Sequence, residues 1–239
     1  MQLARILFLI VSLSALVSAQ VSETVKNFPK GQDVVMRYVE SIGGAEKYLS
    51  VEDRKMVMEG KIQGMDLTSE LFYKAPNKLM QRTTVAGMEQ IILFDGERGY
   101  QKGMAELEEV TGDELEMLKI EATGDAMVFP EKYGLTFTVK DTVTLPGGTA
   151  YKIEKKFPAG TSGIEYYDLA TGLRVKEERT IDTPQGVLNQ VIYYSDYKDV
   201  EGIKYPFKVI QEIQGMKIEL NVKNAEVNKG LKDSIFMKD

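Results

Sequence analysis

From Lys55 onward, apolar and polar residues alternate along the chain. In "KMVMEGKI" Met56, Met58 and Ile62 are apolar while Lys55, Glu59 and Lys61 are charged. That period of two predicts a half-buried antiparallel strand. "TSELFYKA", "KLMQRTTV" and "EQIILFD" follow at strand length, joined at Met65-Asp66, Ala75-Pro76-Asn77 and Ala86-Gly87. Each joint is short enough for a hairpin. Ile91 to Phe94 is apolar at every position, so this strand is expected to be covered on both sides. Further strands are predicted at "LTFTVKD", "AYKIEKKF", the hairpin "SGIEYYDLATGLRVKEERTID", "VLNQVIYYSDY", "IKYPFKVIQEI" and "MKIELNVKNAEV". In the last of these Met216, Ile218, Leu220 and Val222 share one side.

Two segments carry a helical period instead. "DVVMRYVESIGG" places Val34, Val35, Tyr38, Val39 and Ile42 on one stripe, with Asp33 as the expected cap and Gly43-Gly44 as the stop. A short helical turn is expected in "AEKYLSVED". "TGDELEMLKIEA" sets Thr111 and Glu114 at capping-box spacing and Leu115, Leu118 and Ala122 on one face. Met117 and Ile120 widen that apolar sector beyond a simple stripe. The pattern predicts about ten or eleven strands in hairpin order with one helix in front and one inserted. The fold class is α+β, and residues 20–239 are expected to form a single domain, since no linker, repeat or charge block divides them. An antiparallel sheet this wide twists and curls toward a barrel or half-barrel, whose hollow face must be filled. The two helices are the elements available to fill it, which makes the Thr111 helix a lid or a plug.

The opening residues change the picture of where the chain works. Arg5, the apolar "ILFLIVSLSALV" and the small "VSA" before Gln20 make residues 1–19 an expected signal peptide cleaved after Ala19. The apolar run from Ile6 to Val17 falls well short of the roughly 20 residues that span a bilayer. An exported, soluble protein is expected. The formal net charge of −6 argues against a nucleic-acid partner, which calls for a basic face.

Two absent residue types narrow the chemistry. Without cysteine there is no disulfide, thiol nucleophile or thiolate ligand. Without histidine there is no Ser-His-Asp triad and no histidine-held zinc. No metal, no cofactor and no enzymatic activity are expected. Carboxylate pairs remain for glycoside chemistry, but Glu108-Glu109 and Glu177-Glu178 are neighbours on strands and point to opposite faces. Asp113-Glu114 stands at a helix start that favours acids in any case. All three pairs are expected to be solvated surface. The Asp168 turn has too few acids for a calcium loop. Tyr166-Tyr167 and Tyr193-Tyr194 are expected to pair across strands as sheet-stabilising aromatics.

"LFYKAPNKL" from Leu71, "ILFDGERGYQ" from Ile92, "YSDYKDVEGIKYP" from Tyr194 and "GGAEKYLSVEDRKMVMEG" from Gly43 resemble the LolA/LolB family of outer-membrane lipoprotein carriers and their lipoprotein-sorting relatives. The resemblance covers essentially the whole chain after the leader through loose strand-turn patterns. It implies an open antiparallel half-barrel with helices covering the concave face, working in the periplasm as a monomer. It also implies a carrier or chaperone-like function that shelters lipoprotein acyl chains or other lipids in sorting to the outer membrane. Ala75 departs from the family, where an arginine directly before this Pro-Asn holds the lid of the empty carrier. Arg82 on the next strand is the nearest replacement. The alternative is a non-catalytic interaction module that partners an exported zinc peptidase or another envelope complex.

Within that frame Met58, Leu71, Tyr73, Met80, Phe94, Met117 and Leu118 are expected to line one apolar cavity between sheet and lid. Several are methionines, whose flexible thioethers suit surfaces that accept varied apolar ligands as well as ordinary cores.

Overall fold

The computed structural model describes residues 28–102, 106–183 and 186–238. The expected signal peptide lies outside the described residues. Helix α1 (Gly31–Ile42) buries Val34, Val35, Tyr38, Val39 and Ile42, the stripe that the spacing predicts. It starts earlier than expected, after Lys30, and no side chain caps it; Asp33 sits in its first turn, where a carboxylate meets the positive end of the helix. Gly43 ends it with φ 142°, and the Gly43 and Gly44 N–H groups donate to Glu40 and Val39 carbonyls. Helix α2 (Ala45–Leu49) follows directly.

Thirteen strands form one antiparallel sheet, two more than the longer of the expected counts. They are β1 (Asp53–Ile62), β2 (Met65–Lys74), β3 (Lys78–Val85), β4 (Met88–Phe94), β5 (Gly99–Lys102) and β6 (Glu108–Val110). After helix α3 (Gly112–Glu121) come β7 (Thr136–Leu145), β8 (Gly148–Lys156), β9 (Ser162–Asp168), β10 (Arg174–Thr183), β11 (Gly186–Val200), β12 (Ile203–Ile213) and β13 (Met216–Val227). The two unpredicted strands are β5 and β6, too short for an alternating pattern to show. Thr111 precedes α3 without a side-chain cap, so the expected capping box does not form.

The first and last long strands meet in the middle. β1 pairs with β13 from Arg54↔Val227 to Lys61↔Glu219, with a bulge at Val57/Met58. Two meanders therefore run outward, and β6 and β7, consecutive in the chain, end on opposite edges. The segment between them carries α3. Leu118 and Ala122 pack with Phe94 and Leu79 near one edge. Met117 and Ile120 pack with Phe157, Leu135 and Phe137 near the other.

A ten-residue helix is about 15 Å long, whereas thirteen strands laid flat would be roughly 58 Å wide. One helix reaches both ends because the sheet curls around it. The wide apolar sector of α3 has this physical cause: it faces two walls. The sheet stays open, since β6 and β7 are not paired, and the face carrying the helices is the concave one.

The opposite face is covered too. After β13 the chain crosses it, with the Asp53 carboxylate accepting N–H bonds from Lys229, Gly230 and Leu231 at 3.0, 2.8 and 3.2 Å. Asp233 pairs with Lys74 and Lys78 at 2.9 and 3.2 Å. Phe236, 1% exposed, is seated among Phe72, Met80, Leu93 and Tyr100. This tail covers Leu93, and α3 covers Phe94 on the other face, but Ile92 stays 43% exposed, so the all-apolar strand is covered on both sides only at its Leu93–Phe94 end.

Candidate ligand-binding site

Hairpin register decides which side chains face the hollow. Arg54 pairs with Tyr73 and Met56 with Leu71, so Arg54, Met56, Met58, Leu71 and Tyr73 share the concave face. Across the next hairpin Tyr73 opposes Leu79 and Phe72 opposes Met80, while Leu79 opposes Phe94. Met58, Leu71 and Tyr73 join a cluster with Met56, Ile203, Tyr205 and Val222. Phe94 and Leu118 meet under α3, and Met117 packs nearby against Phe157. Met80 does not join them. It lies on the convex face beneath Phe236, because pairing across Ala75–Asn77 puts it level with Phe72 rather than Tyr73.

A cavity of about 420 Å³ opens between α2, the Ala75–Asn77 turn and the segment after α3. That is within the range of about 300–1,000 Å³ usual for small-molecule sites. Tyr73 is the one expected site residue that lines it; Tyr48, Leu49, Val51, Ala75, Thr123 and Gly124 supply much of the rest. Gly124 lets the Tyr73 ring come close, since a Cβ would stand 2.0 Å from the hydroxyl oxygen in its present position. At the rim Lys132 pairs with Asp125 at 2.9 Å, and the Tyr133 hydroxyl donates to the same carboxylate. Burial alone would raise the Asp125 pKa, but the bonds from Tyr133 and Lys132 outweigh it and lower it.

Farther along the concave face the hollow is filled by a buried ionic cluster. Arg174 pairs with Glu165 at 3.1 Å and Glu177 at 3.7 Å, and Arg179 pairs with Glu177 at 2.7 Å. The Tyr194 hydroxyl donates to Glu177 at 2.7 Å, and Tyr167 donates to Glu165. The Arg174 guanidinium lies 4.6 Å from the Tyr194 ring centre and 5.9 Å from that of Tyr38 on α1. Arg179 also reaches Glu121 on α3 at 3.8 Å. Burial would raise the Glu177 carboxyl, yet Arg174, Arg179 and the Tyr194 bond hold its pKa down at about 2.

Glu177 was expected at a solvated surface and is buried instead. The expectation that Glu177 and Glu178 face opposite ways does hold: Glu178 pairs with Lys176 on the convex side. The tyrosines do not pair with one another across strands as expected. A cation stands between them on each face, Arg174 within and Lys176 without, the latter 4.8 Å from Tyr166 and 5.7 Å from Tyr193.

Three solved structures share this architecture at low sequence identity. A LolA superfamily protein from Nitrosomonas europaea matches with a TM-score of 0.56 and 13% identity, over 88% of this chain and 99% of that one. The fold is LolA-like. A DUF1329 family protein from Desulfovibrio piger gives 0.54 and 13%, over 88% and 98%. A putative outer membrane lipoprotein-sorting protein domain from Vibrio parahaemolyticus gives 0.52 and 12%, over 86% and 95%. No family model matches the sequence, and no curated protein aligns with it significantly.

On this LolA-like sheet Ala75 forms part of the cavity wall. Arg82 does not take over for it, because Arg82 faces the convex side and pairs with Glu70 and Glu89 at 3.4 and 3.7 Å. A larger depression of about 830 Å³ lies across β1, β2 and β13. Its walls include Glu59, Lys61, Asp66, Lys217, Glu219 and Lys223, mixed charges that favour water over an apolar ligand. The Asp168 carboxylate accepts from the Ala170 and Thr171 N–H groups, so that segment is a turn closed on itself. Among the described residues, no helix is long and apolar enough to cross a membrane, and no cluster of acids is placed to hold a metal ion.

Proposed function

We propose that this protein is an exported, periplasmic carrier or chaperone-like protein that binds acyl chains or other lipids without catalysing a reaction. Lipoprotein sorting to the outer membrane is its proposed setting. The observation that carries the reading is the cavity between α2, the Ala75–Asn77 turn and the segment after α3, set in the concave face of a LolA-like sheet. Apolar side chains of β1, β2 and β12 continue that face beside it. The neighbouring protein from Vibrio parahaemolyticus is described as a lipoprotein-sorting domain, which agrees with this assignment at the level of fold.

The expected binding surface includes Met58, Leu71, Tyr73, Phe94, Met117 and Leu118. Tyr73 meets the open space, Met58 and Leu71 pack beside it, and Phe94, Met117 and Leu118 lie at α3. An environment-sensitive fatty-acid probe should bind the purified protein and be displaced by lipid. Native mass spectrometry of protein taken from its own periplasm should show co-purified lipid. Absence of both signals would overturn the carrier and leave an interaction module, with α3 as a permanent plug.

A further inference from the structure

Three arginines rise from strands onto the concave face, and two of them are matched. Arg174 and Arg179 share Glu165, Glu177 and, on α3, Glu121. Arg54 has no such match. Among the described residues its side chain pairs with no carboxylate, and its Nε, like those of Arg174 and Arg179, is buried without a hydrogen-bond partner. Its guanidinium lies 5.8 Å from the Tyr73 ring centre and 5.2 Å from that of Tyr205. Tyrosine rings offer a cation some attraction through their π faces. They supply no counter-charge, and an apolar setting makes an unmatched charge costly.

The place of this charge matters. Tyr73 lines the cavity and so does Tyr48. The Tyr48 phenol is pushed up to about 12, chiefly by burial, although Arg54 acts to lower it. Arg54 is half-buried and stands directly behind Tyr73, which lines the cavity. The two charges on the cavity wall itself, Asp125 and Lys132, are paired with each other. The side of the cavity formed by Tyr48 and Tyr73 is thus backed by one positive charge with no partner.

We propose that Arg54 anchors the anionic head of an amphiphile whose apolar tail occupies the adjoining cavity and apolar face. This rests on the carrier reading and narrows its ligand class. A guanidinium presents paired N–H donors that match either a carboxylate or a phosphate, so a fatty acid and an acidic lipid share the required chemistry. Arg174 cannot serve the same role, because its charge is already taken by two glutamates.

The test uses lipid-stripped protein and three competitors with one chain length: hexadecanoate, hexadecyl phosphate and hexadecanol. Each displaces an environment-sensitive fatty-acid probe. At least one anion should compete about tenfold better than the alcohol, a difference of about 1.4 kcal/mol. The better anion distinguishes carboxylate from phosphate as the source. Arg54→Met, which keeps a stem between Tyr73 and Tyr205, should abolish the preference, and Arg54→Lys should retain part of it. If Arg54→Met does not fold, the wild-type and Arg54→Lys comparisons still decide. Equal competition by alcohol and anions, or a preference that survives in Arg54→Met, would overturn the anchor and leave the carrier standing. Failure of all three to bind would end both.

Discussion

Arg174 and Arg54 stand on the same concave face, each beside two tyrosine rings, yet their surroundings differ in kind. Around Arg174 every charge has a counterpart, and strands β9, β10 and β11 with helix α1 close over the group. Around Arg54 the neighbours are aromatic and aliphatic, and beyond Tyr48 and Tyr73 there is open space. A hollow sheet can satisfy itself with its own side chains or leave room for something else. This one does the first at β9–β11 and the second at β1–β2. The filled end acts as scaffold, and the open end is the place proposed for the ligand.

The strongest way to break that division is to disturb the filled end. Glu177→Gln removes the carboxylate shared by two arginines, and losing one partner of a buried pair costs about 3–5 kcal/mol. The urea midpoint should fall accordingly, while probe affinity of the folded fraction stays the same. Lost affinity at unchanged stability would mean that the network belongs to the binding site.

Acid should act through the same residue. The folded pKa of Glu177, about 2, lies below its ordinary value of 4.5, so its stabilisation is fully present above pH 4.5. It is lost as pH falls from there toward 2, a loss of about 3 kcal/mol at most. Unfolding followed from pH 5 to pH 2 should show this slope, and Glu177→Gln should lack this component of it.

The two faces of the β2–β3 hairpin give the next contrast. Met80→Ala empties space under Phe236 and should cost about 2 kcal/mol or more, with no change in probe affinity. A binding defect would place Met80 functionally with the concave face after all. Ala75→Trp instead fills the cavity from its wall and should weaken the probe about tenfold, about 1.4 kcal/mol, at near-normal stability. The smallest effect is expected at Glu59, in the charged depression on the convex side. Glu59→Gln should shift stability by no more than about 0.5 kcal/mol and leave binding unchanged.

Much of the architecture was legible from residue order. The α1 stripe, the hairpin order, eleven of the thirteen strands and the unusual width of the α3 apolar sector all follow from local periods. The site was less legible. Placing Met80 with Tyr73 required the register across a three-residue turn, and a slip of one residue exchanges the two faces. Calling Glu177 solvated followed ordinary strand chemistry. Its partner Arg174 lies close in sequence, but the tyrosines and the α1 helix that enclose them come from distant parts of the chain. The available signal was an interruption: Glu165 and Glu177 occupy positions whose partners across the sheet, Ile153 and Ile192, are buried and apolar.

Local sequence was enough to choose strand or helix at nearly every segment, because backbone preference and hydrophobic period act over a few residues. Curvature, face and partnership required the assembled sheet. Only there does one helix touch two edges, the tail after β13 bury a methionine on the convex side, and four charges settle one another while Arg54 is left over. Those outcomes depend on distances between residues far apart in the chain, and such distances exist only once the open sheet has curled around its helices.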